Sequence, residues 1–169
     1  GGTTIEQTKS ALNAKATLSM QEYCTKKVQA YAKGKGQETA NLNYPMGVDG
    51  TDEFLMTVSK LTGKPIPDAL LLERGRLVDA LTDSMSIAHG KSFAVFGDPD
   101  FVYGMCRFLM EMGAEPRHAL ATNGTKPWAK KMRTLLDSSP YGKDCEVWPG
   151  CDLWHMRSLL NTAPVDFLI

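Results

Sequence analysis

Hydrophobic residues beyond Gly90 form short apolar runs that alternate with amphipathic stretches. The run 92–96 is continuous and of strand length, and similar runs recur up to the last residue. Between the runs, apolar residues follow helical spacing, with proline, glycine or a capping residue at the ends. The predicted strands are 92–96, 117–121, 145–148 and 165–169, and the predicted helices are 99–112, 126–137 and 152–160. This alternation predicts βαβ units and a parallel sheet.

Before Pro67, predicted strands and helices alternate less regularly. Thr3 and Glu6 have the spacing of a capping box, which predicts a helix up to Asn13. Thr51 is predicted to cap a helix that runs to Leu61. The other elements predicted here are strands at 16–20 and 41–44 and a lysine-rich helix at 22–33.

One long helix is predicted from Pro67 to about Ala88, ended by Gly90. It carries an apolar stripe with helical spacing, made of Leu70, Leu77, Leu81, Met85 and Ala88. The pattern as a whole predicts an α/β protein: a Rossmann-like parallel sheet with flanking helices, preceded by part of a neighbouring α/β domain. The predicted divisions are a partial α/β domain at 1–66, a long connecting helix at 67–89 and a Rossmann-like βαβ domain at 90–169, truncated at its C-terminal end.

The composition indicates a globular protein and argues against nucleic-acid binding and a membrane span. The chain has 169 residues, of which 43% are hydrophobic and 22% charged, as in a globular protein that buries roughly 70% of its unfolded surface. Nineteen basic residues balance nineteen acidic ones, which argues against nucleic-acid binding. Apolar runs such as 69–72 are far shorter than the roughly 20 residues of a membrane span. The four cysteines lack a Cys-x-x-Cys spacing and predict reduced thiols in a cytoplasmic protein.

The two ends of the chain predict an internal fragment of a longer protein. Residue 1 is Gly rather than Met, and the apolar run 165–169 ends without a turn or a cap. Backbone groups of a core strand need partners, so a natural chain rarely ends within one.

Three loops follow predicted strands, at the sheet edge where ligands usually bind. The first is 97–100, where Asp98 and Pro99 favour a structural helix cap over a phosphate site, because the loop is poor in glycine. The second, 122–125, is interpreted as a turn, although such a loop could also bind an anion. The third is 148–151.

No residues have a convincing catalytic spacing, and neither a catalytic nor a cofactor-binding residue is predicted. His89 and His118 lack a carboxylate or serine at a suitable distance in the sequence. Cys145, Cys151 and His155 have a superficial resemblance to a zinc site, but a fourth ligand is missing, which favours buried thiols and an ordinary helix histidine.

Asp79 and Asp83 form the most unusual pair in the chain. They are four residues apart on the long helix and therefore share one face, where like charges cost roughly 0.2–0.5 kcal/mol. A partner is expected to offset this cost. The candidates are Arg76 one turn earlier, another chain, or a divalent cation that takes oxygen ligands; a solvated, salt-bridged face is the simpler alternative.

Several strings of the sequence, in order over about residues 40–169, resemble the beta chains of nitrogenase molybdenum-iron proteins. The opening Gly1–Thr4 fits the stretch that precedes them. The matching strings are GTDEFLM at 50–56, LTGKPIP at 61–67, ERGRLVD at 73–79, TDS at 82–84, HGK at 89–91, GDPDF at 97–101, SPYGK at 139–143 and, with one apolar exchange, DLWHMRSL at 152–159.

This resemblance implies a heterotetramer of two alpha and two beta chains, each chain built from three Rossmann-like domains. Such an enzyme reduces dinitrogen to ammonia with electrons from an ATP-hydrolysing iron protein. The resemblance implies a P-cluster at the alpha–beta interface and a molybdenum-iron cofactor in the alpha chain. This segment corresponds to the middle and later part of the beta chain, and none of its cysteines matches a cluster ligand. It is therefore expected to supply scaffold and subunit interface.

The resemblance also implies one metal site in this segment. Molybdenum-iron beta chains hold a divalent cation between the two beta subunits with two helix carboxylates, which correspond to Asp79 and Asp83. The remaining ligands are expected from the second beta chain.

Residues 85–88 depart from the family pattern, which commonly has an aromatic residue just before the HGK string. Three alternatives stay open on that basis: a divergent beta chain, a vanadium or iron-only homologue, and the related scaffold that assembles the nitrogenase cofactor. A free-standing nucleotide-binding domain is a further alternative, against which the lack of a glycine-rich loop argues.

Overall fold

The computed structural model describes residues 2–169 and has two parallel sheets flanked by helices, which confirms the α/β prediction. The first residue of the Gly1–Thr4 string lies outside the described residues. The smaller sheet pairs β1 with β2 and the larger has the order β5-β4-β3-β6. The strands are β1 (Ala16–Ser19), β2 (Glu38–Asn41), β3 (Ser92–Gly97), β4 (Glu115–Ala121), β5 (Glu146–Pro149) and β6 (Phe167–Leu168).

Seven α-helices connect and flank the strands of the described chain. They are α1 (Ile5–Ser10), α2 (Lys26–Gly34), α3 (Gly47–Thr62), α4 (Asp68–Ala88), α5 (Pro99–Glu111), α6 (Lys126–Asp137) and α7 (Leu153–Thr162). Short 3₁₀ turns follow α1 and α6. Strand and helix alternate from β3 to β6, as the apolar runs predict. None of the helices in residues 2–169 combines the length and the apolar composition needed to cross a bilayer.

The main core lies between β3 and β4 and the two helices that cover one face of their sheet, α5 and α6. Trp128 of α6 is fully buried there, and its indole N–H donates a hydrogen bond of 2.9 Å to the carbonyl of Pro99. Met156 of α7 packs on the opposite face with Leu120. The core members on the first face include Val95, Val102, Cys106, Leu109, Ala119, Met132 and Leu136.

Helix α3 begins four residues earlier than Thr51, the predicted cap. The first amides of a helix lack partners within it and need an acceptor from elsewhere. The two carboxylate oxygens of Glu111 accept hydrogen bonds from the backbone amides of Val48, at 2.9 Å, and Asp49, at 3.2 Å. Thr51 lies inside the helix, where its hydroxyl donates to the Gly47 carbonyl. The predicted start was wrong because the capping carboxylate belongs to Glu111, which is 63 residues beyond Val48.

Two other predictions near the N-terminus are displaced. The capping box of α1 is formed by Thr4 and Gln7 instead of Thr3 and Glu6. Strand β2 occupies 38–41 rather than 41–44, because its register is set by parallel pairing with β1, in which Ala16 lies opposite Glu38. The backbone around Tyr44 instead packs against α5.

The segment between α6 and β5 is held by Arg133. Its guanidinium donates to the carbonyls of Cys145, at 2.7 Å, and Gly142, at 3.0 Å, and to the Asp137 carboxylate at 2.8 Å. Gly142 passes so close to α6 that an added Cβ would lie 2.5 Å from the carbonyl oxygen of Leu136. Only glycine fits this approach, because the opposing atoms belong to the backbone.

Gly142→Ala is therefore expected to destabilise the protein by about 1–3 kcal/mol, the usual range for forced overpacking. Thermal unfolding of the full-length protein measures the effect. Gly34→Ala is the matched control, because nothing lies within 4 Å of a Cβ added there. Equal melting temperatures for the two variants would contradict the packing argument.

Strand β6 is anchored to β3 by Asp166. Its carboxylate accepts hydrogen bonds from the Ser92 nitrogen at 2.8 Å and hydroxyl at 2.7 Å, and its own amide donates to Ser92. These bonds from Ser92 hold the pKa of Asp166 below its ordinary value of 3.8. A lowered pKa stabilises the folded state above the ordinary value, and this contribution is lost as the pH falls through the lowered pKa.

We expect Asp166→Asn to loosen β6 at neutral pH, because hydrogen bonds to a charged acceptor are about twice as strong as neutral ones. Hydrogen exchange of the Phe96 amide, which donates to the Ile169 carbonyl, reports the pairing. Wild-type protection should fall on acidification below 3.8, and the variant should lack this acid step. Asp144→Asn, at an exposed carboxylate that accepts from Arg117, should leave this exchange unchanged. Identical acid profiles in wild type and Asp166→Asn would argue against the anchor.

Candidate functional site

Asp79 and Asp83 lie on the exposed surface of α4, a helix without a buried residue. Within residues 2–169, neither carboxylate has a hydrogen-bond or ion-pair partner. Arg76, one of the candidate partners, pairs instead with Glu73 at 2.5 Å. Of the candidate partners, another chain and a cation therefore stay open.

The chemistry of the Asp79 and Asp83 pair suits a hard cation. Two carboxylates offer oxygen ligands, but Ca²⁺ takes six to eight and Mg²⁺ demands a near-octahedral set. The described part of the chain contains no cluster of three or more His, Cys, Asp or Glu side chains that could hold a metal. The pair fits a cation only as one half of a site, and the other ligands have to come from outside this segment.

The apolar side chains of α4 are largely exposed to solvent. In the predicted apolar stripe, Leu70 and Leu77 are 41% and 40% exposed, and Leu81 and Met85 are half-buried. Further exposed apolar side chains on this helix are Leu71, Leu72, Val78 and Ile87. A helix in a folded protein gains most of its stability from packing of its apolar face, and an exposed apolar patch of this kind is typical of an interaction surface.

Helix α4 is fastened to α3 at one point by an ion pair. The guanidinium of Arg74 donates to both carboxylate oxygens of Asp52, at 2.7 to 2.9 Å. Hydrogen bonds from Arg74 hold the pKa of Asp52 below its ordinary value. The pair holds the first half of α4 against α3, and Asp79 and Asp83 follow within the next three turns.

The three loops at the carboxyl edge of the larger sheet are structural in this chain. Asp98 occupies the N-cap position of α5 but makes no side-chain capping hydrogen bond, so that detail of the prediction was wrong; Pro99 does open the helix. Residues 122–125 form the predicted turn, and the hydroxyl of Thr125 caps α6. In 148–151, the Gly150 amide donates to the Ala121 carbonyl, which ties this loop to β4.

Cys145, Cys151 and His155, the residues that resemble a zinc site, do not form one in the structure. Cys145 is buried in the core, where burial raises the pKa of its thiol to about 12. Cys151 directs its thiol to the Pro149 carbonyl, and the ring of His155 packs on that of Trp148, with centroids 4.5 Å apart. These are the structural roles that the residue spacing favours.

A polar cleft of about 480 Å³ between α3, α5 and α6 was not found by sequence reasoning. The Glu53 carboxylate accepts from Arg107 at 2.7 Å and Asn43 at 3.2 Å. Burial raises the pKa of Glu53, but these hydrogen bonds outweigh it and leave the pKa below its ordinary value. Burial raises the pKa of Glu111 on the opposite wall. No local signal could reveal this cleft, since Glu53 and Arg107 are 54 residues apart.

A second feature that was missed is the burial of Asp100, at the start of α5. It belongs to the 97–100 loop, for which the sequence analysis considered only a helix cap or a phosphate site, and only 7% of the residue is accessible. The segment that follows β1 covers it.

Comparison with known proteins gives consistent results. The sequence family described as "Nitrogenase component 1 type Oxidoreductase" matches residues 1–169. Nitrogenase molybdenum-iron protein beta chains of Bradyrhizobium diazoefficiens and Sinorhizobium fredii are 56% and 59% identical over all 169 residues. The beta chain of Azotobacter vinelandii is 51% identical.

A comparison of folds agrees with the comparison of sequences. A solved structure described as "Nitrogenase Cp1 at pH 6.5" superposes with a TM-score of 0.91 at 30% identity, over 99% of this chain and 37% of its own. The chain spans about a third of the length of its curated relatives, 33% for both rhizobial proteins. The match nevertheless covers every residue of this chain, which therefore belongs to the nitrogenase component 1 type oxidoreductase family.

Proposed function

We propose that the chain is the middle and later part of a nitrogenase molybdenum-iron protein beta chain. The observation that carries this proposal is the 52–59% identity of the whole chain to seven relatives, all named as such beta chains. Their names favour molybdenum over vanadium or iron, and a beta chain over the cofactor-assembly scaffold. The reaction of the complete enzyme is the reduction of dinitrogen to ammonia.

The partners that we propose are an alpha chain, a second beta chain and, in the working complex, an ATP-dependent iron protein that donates electrons. The P-cluster and the molybdenum-iron cofactor belong to the complete assembly, in a cytoplasmic enzyme. The two separate sheets joined through α4 support a division at 1–66, 67–89 and 90–169. The exposed apolar face of α4 supports a role in scaffold and subunit interface.

The cysteines support the proposal that cluster ligands lie elsewhere in the complete chain. Cys106 and Cys145 are buried in the apolar core, where burial raises the pKa of both thiols. A thiolate is the form that binds iron, so both are poor ligands.

A chimeric beta chain tests the proposed function. The corresponding segment of the Azotobacter vinelandii protein is replaced by these 169 residues, and growth on dinitrogen and ammonia formation are measured. We expect the chimera to support both, because the exchanged segments share a fold and half of their residues. The control chimera carries the segment of the Bradyrhizobium diazoefficiens chain.

An inactive chimera would contradict this function if it accumulates as an assembled complex while the control chimera supports growth.

The second part of the proposal concerns a divalent cation between two beta chains. Asp79 and Asp83 would supply carboxylate oxygens from α4, and the second beta chain would supply the other ligands. The support is their shared helix face and the absence of any competing partner within residues 2–169. The cation would neutralise two like charges that otherwise repel each other one turn apart.

Replacing both residues, Asp79→Asn with Asp83→Asn, is expected to remove the bound cation and weaken the contact between beta chains. Metal analysis of the purified assembly and its dissociation on dilution measure the two effects. Glu73→Gln is the matched control, because it removes a carboxylate of the same exposed helix that is already paired with Arg76. Unchanged metal content in the double variant would reject the site.

A further inference from the structure

His118 is a buried histidine in the middle of β4, enclosed between β5 and the segment that follows α7. It lies opposite Glu146 in the register of the two strands, and only 3% of the residue is accessible. One ring nitrogen, Nε2, is 3.0 Å from the carbonyl oxygen of Ala163. The other, Nδ1, is 3.4 Å from the Glu146 carboxylate and has no hydrogen-bond partner among residues 2–169. Both ring nitrogens therefore face a hydrogen-bond acceptor.

These two acceptors determine which form of the ring fits the site. A carbonyl cannot donate, so Nε2 carries a hydrogen atom and donates it to Ala163. In the neutral ring, the lone pair of Nδ1 then lies buried against a carboxylate, an arrangement in which neither atom gains a donor. In the protonated ring both nitrogens are donors, and hydrogen bonds from a charged donor are about twice as strong as neutral ones.

The charges around His118 also favour a proton on the ring. Ala163 is the C-cap of α7, and the negative end of a helix dipole stabilises a nearby cation. Arg117, the preceding residue of β4, carries a positive charge, but it is paired with Glu115 at 2.6 Å and with Asp144 at 3.0 Å. The neighbouring cation is thus neutralised by its own partners.

The remaining side of the site is formed by β3. Ser92 and His118 line one cavity of about 440 Å³, and the hydroxyl of Ser92 donates to the Asp166 carboxylate, a further acidic group. Burial opposes a charged ring, because the ring loses water. Burial also penalises the neutral ring, because Nδ1 then lacks a donor, so the two acceptors decide in favour of the proton.

We propose that His118 is a proton-dependent clamp: its protonated ring holds the segment after α7 and the start of β5 against β4, and loss of the proton loosens both. The segment after α7 leads through Asp166 into β6, so the clamp secures the last strand of the larger sheet. It does not depend on the cation site on α4 and stands independently of the proposed function.

The direction of the pH effect follows from the two acceptors. A proton on Nδ1 stabilises the closed arrangement, so the clamp is complete at the acidic end of the range in which histidines titrate, around pH 6.5, and is lost as the pH rises through that range. The Asp166 anchor cannot produce this change, because Asp166 titrates below 3.8 and is already ionised throughout the range.

Hydrogen exchange of the full-length protein in its native assembly tests the clamp. Protection of the Ala163 and Asp166 amides, which donate to the Leu159 and Ser92 carbonyls, is measured between about pH 5 and 8 and corrected for the intrinsic effect of pH on exchange. The wild type is expected to lose protection several-fold as the pH rises. His118→Gln, which keeps an N–H donor but does not titrate, is expected to abolish this dependence.

Two further variants complete the test. His89→Gln is the matched control, because it removes a second histidine, which packs on the Tyr141 ring with centroids 5.8 Å apart, and it should retain the wild-type pH profile. Glu146→Gln replaces the carboxylate by an amide that can donate to the neutral Nδ1. The midpoint of the loosening should therefore move to lower pH, and the substitution should be tolerated because the Glu146 side chain is 57% exposed.

A wild-type profile that is flat, or that persists unchanged in His118→Gln, would overturn the clamp. Loss of the pH dependence in His89→Gln would overturn it as well. If His118→Gln does not assemble, the Glu146→Gln midpoint decides: a shift to lower pH supports the clamp, and an unchanged midpoint overturns it.

Discussion

The buried indole of Trp128 fixes the arrangement on which the rest of the larger domain depends. An indole of this kind contributes about 150–250 Å² of buried surface and needs a partner for its one donor. The Pro99 carbonyl provides that partner, at 2.9 Å, so the start of α5 is locked to the first turn of α6. Lys131, one turn further along α6, is thereby directed at Tyr103 and Glu22. The Trp128 hydrogen bond and the Lys131–Glu22 ion pair therefore connect α5, α6 and the segment after β1.

The β3–β6 unit and helix α4 differ in how much of their apolar and charged surface is covered within this chain. In the β3–β6 unit, helices pack on both faces of the sheet, and Asp166 anchors the last strand. Helix α4 buries no residue, and its two aspartates have no partner within the described chain. A helix of 21 residues with exposed leucines is the kind of surface that marks an interaction site, which agrees with the subunit interface that we propose for it. Membership of a family whose relatives are three times longer agrees with this explanation.

Local patterns predicted the elements well where a strand or helix is defined by its own residues. The helix at 126–137 and the alternation after Gly90 are examples, because apolar spacing, proline and glycine act over a few positions. The failures share a physical cause: the determining partner is remote. Glu111 starts α3 from 63 residues beyond Val48, and pairing with β1 sets the position of β2. The sequence likewise indicated Asp79 and Asp83 as unusual, but it could not show whether Arg76 would compensate them.

The exposed pair Asp79 and Asp83 and the buried Asp100 illustrate opposite solutions to one electrostatic problem. Asp79 and Asp83 remain in solvent, where two neighbouring charges are tolerated at small cost and stay available to an outside cation. Asp100 is buried at the start of α5, where the same functional group is costly as an anion and burial raises its pKa. Exposure therefore decides which positive species each carboxylate attracts. On α4, exposure leaves both carboxylates open to the cation that we propose between two beta chains, and at the start of α5, burial favours a proton on Asp100.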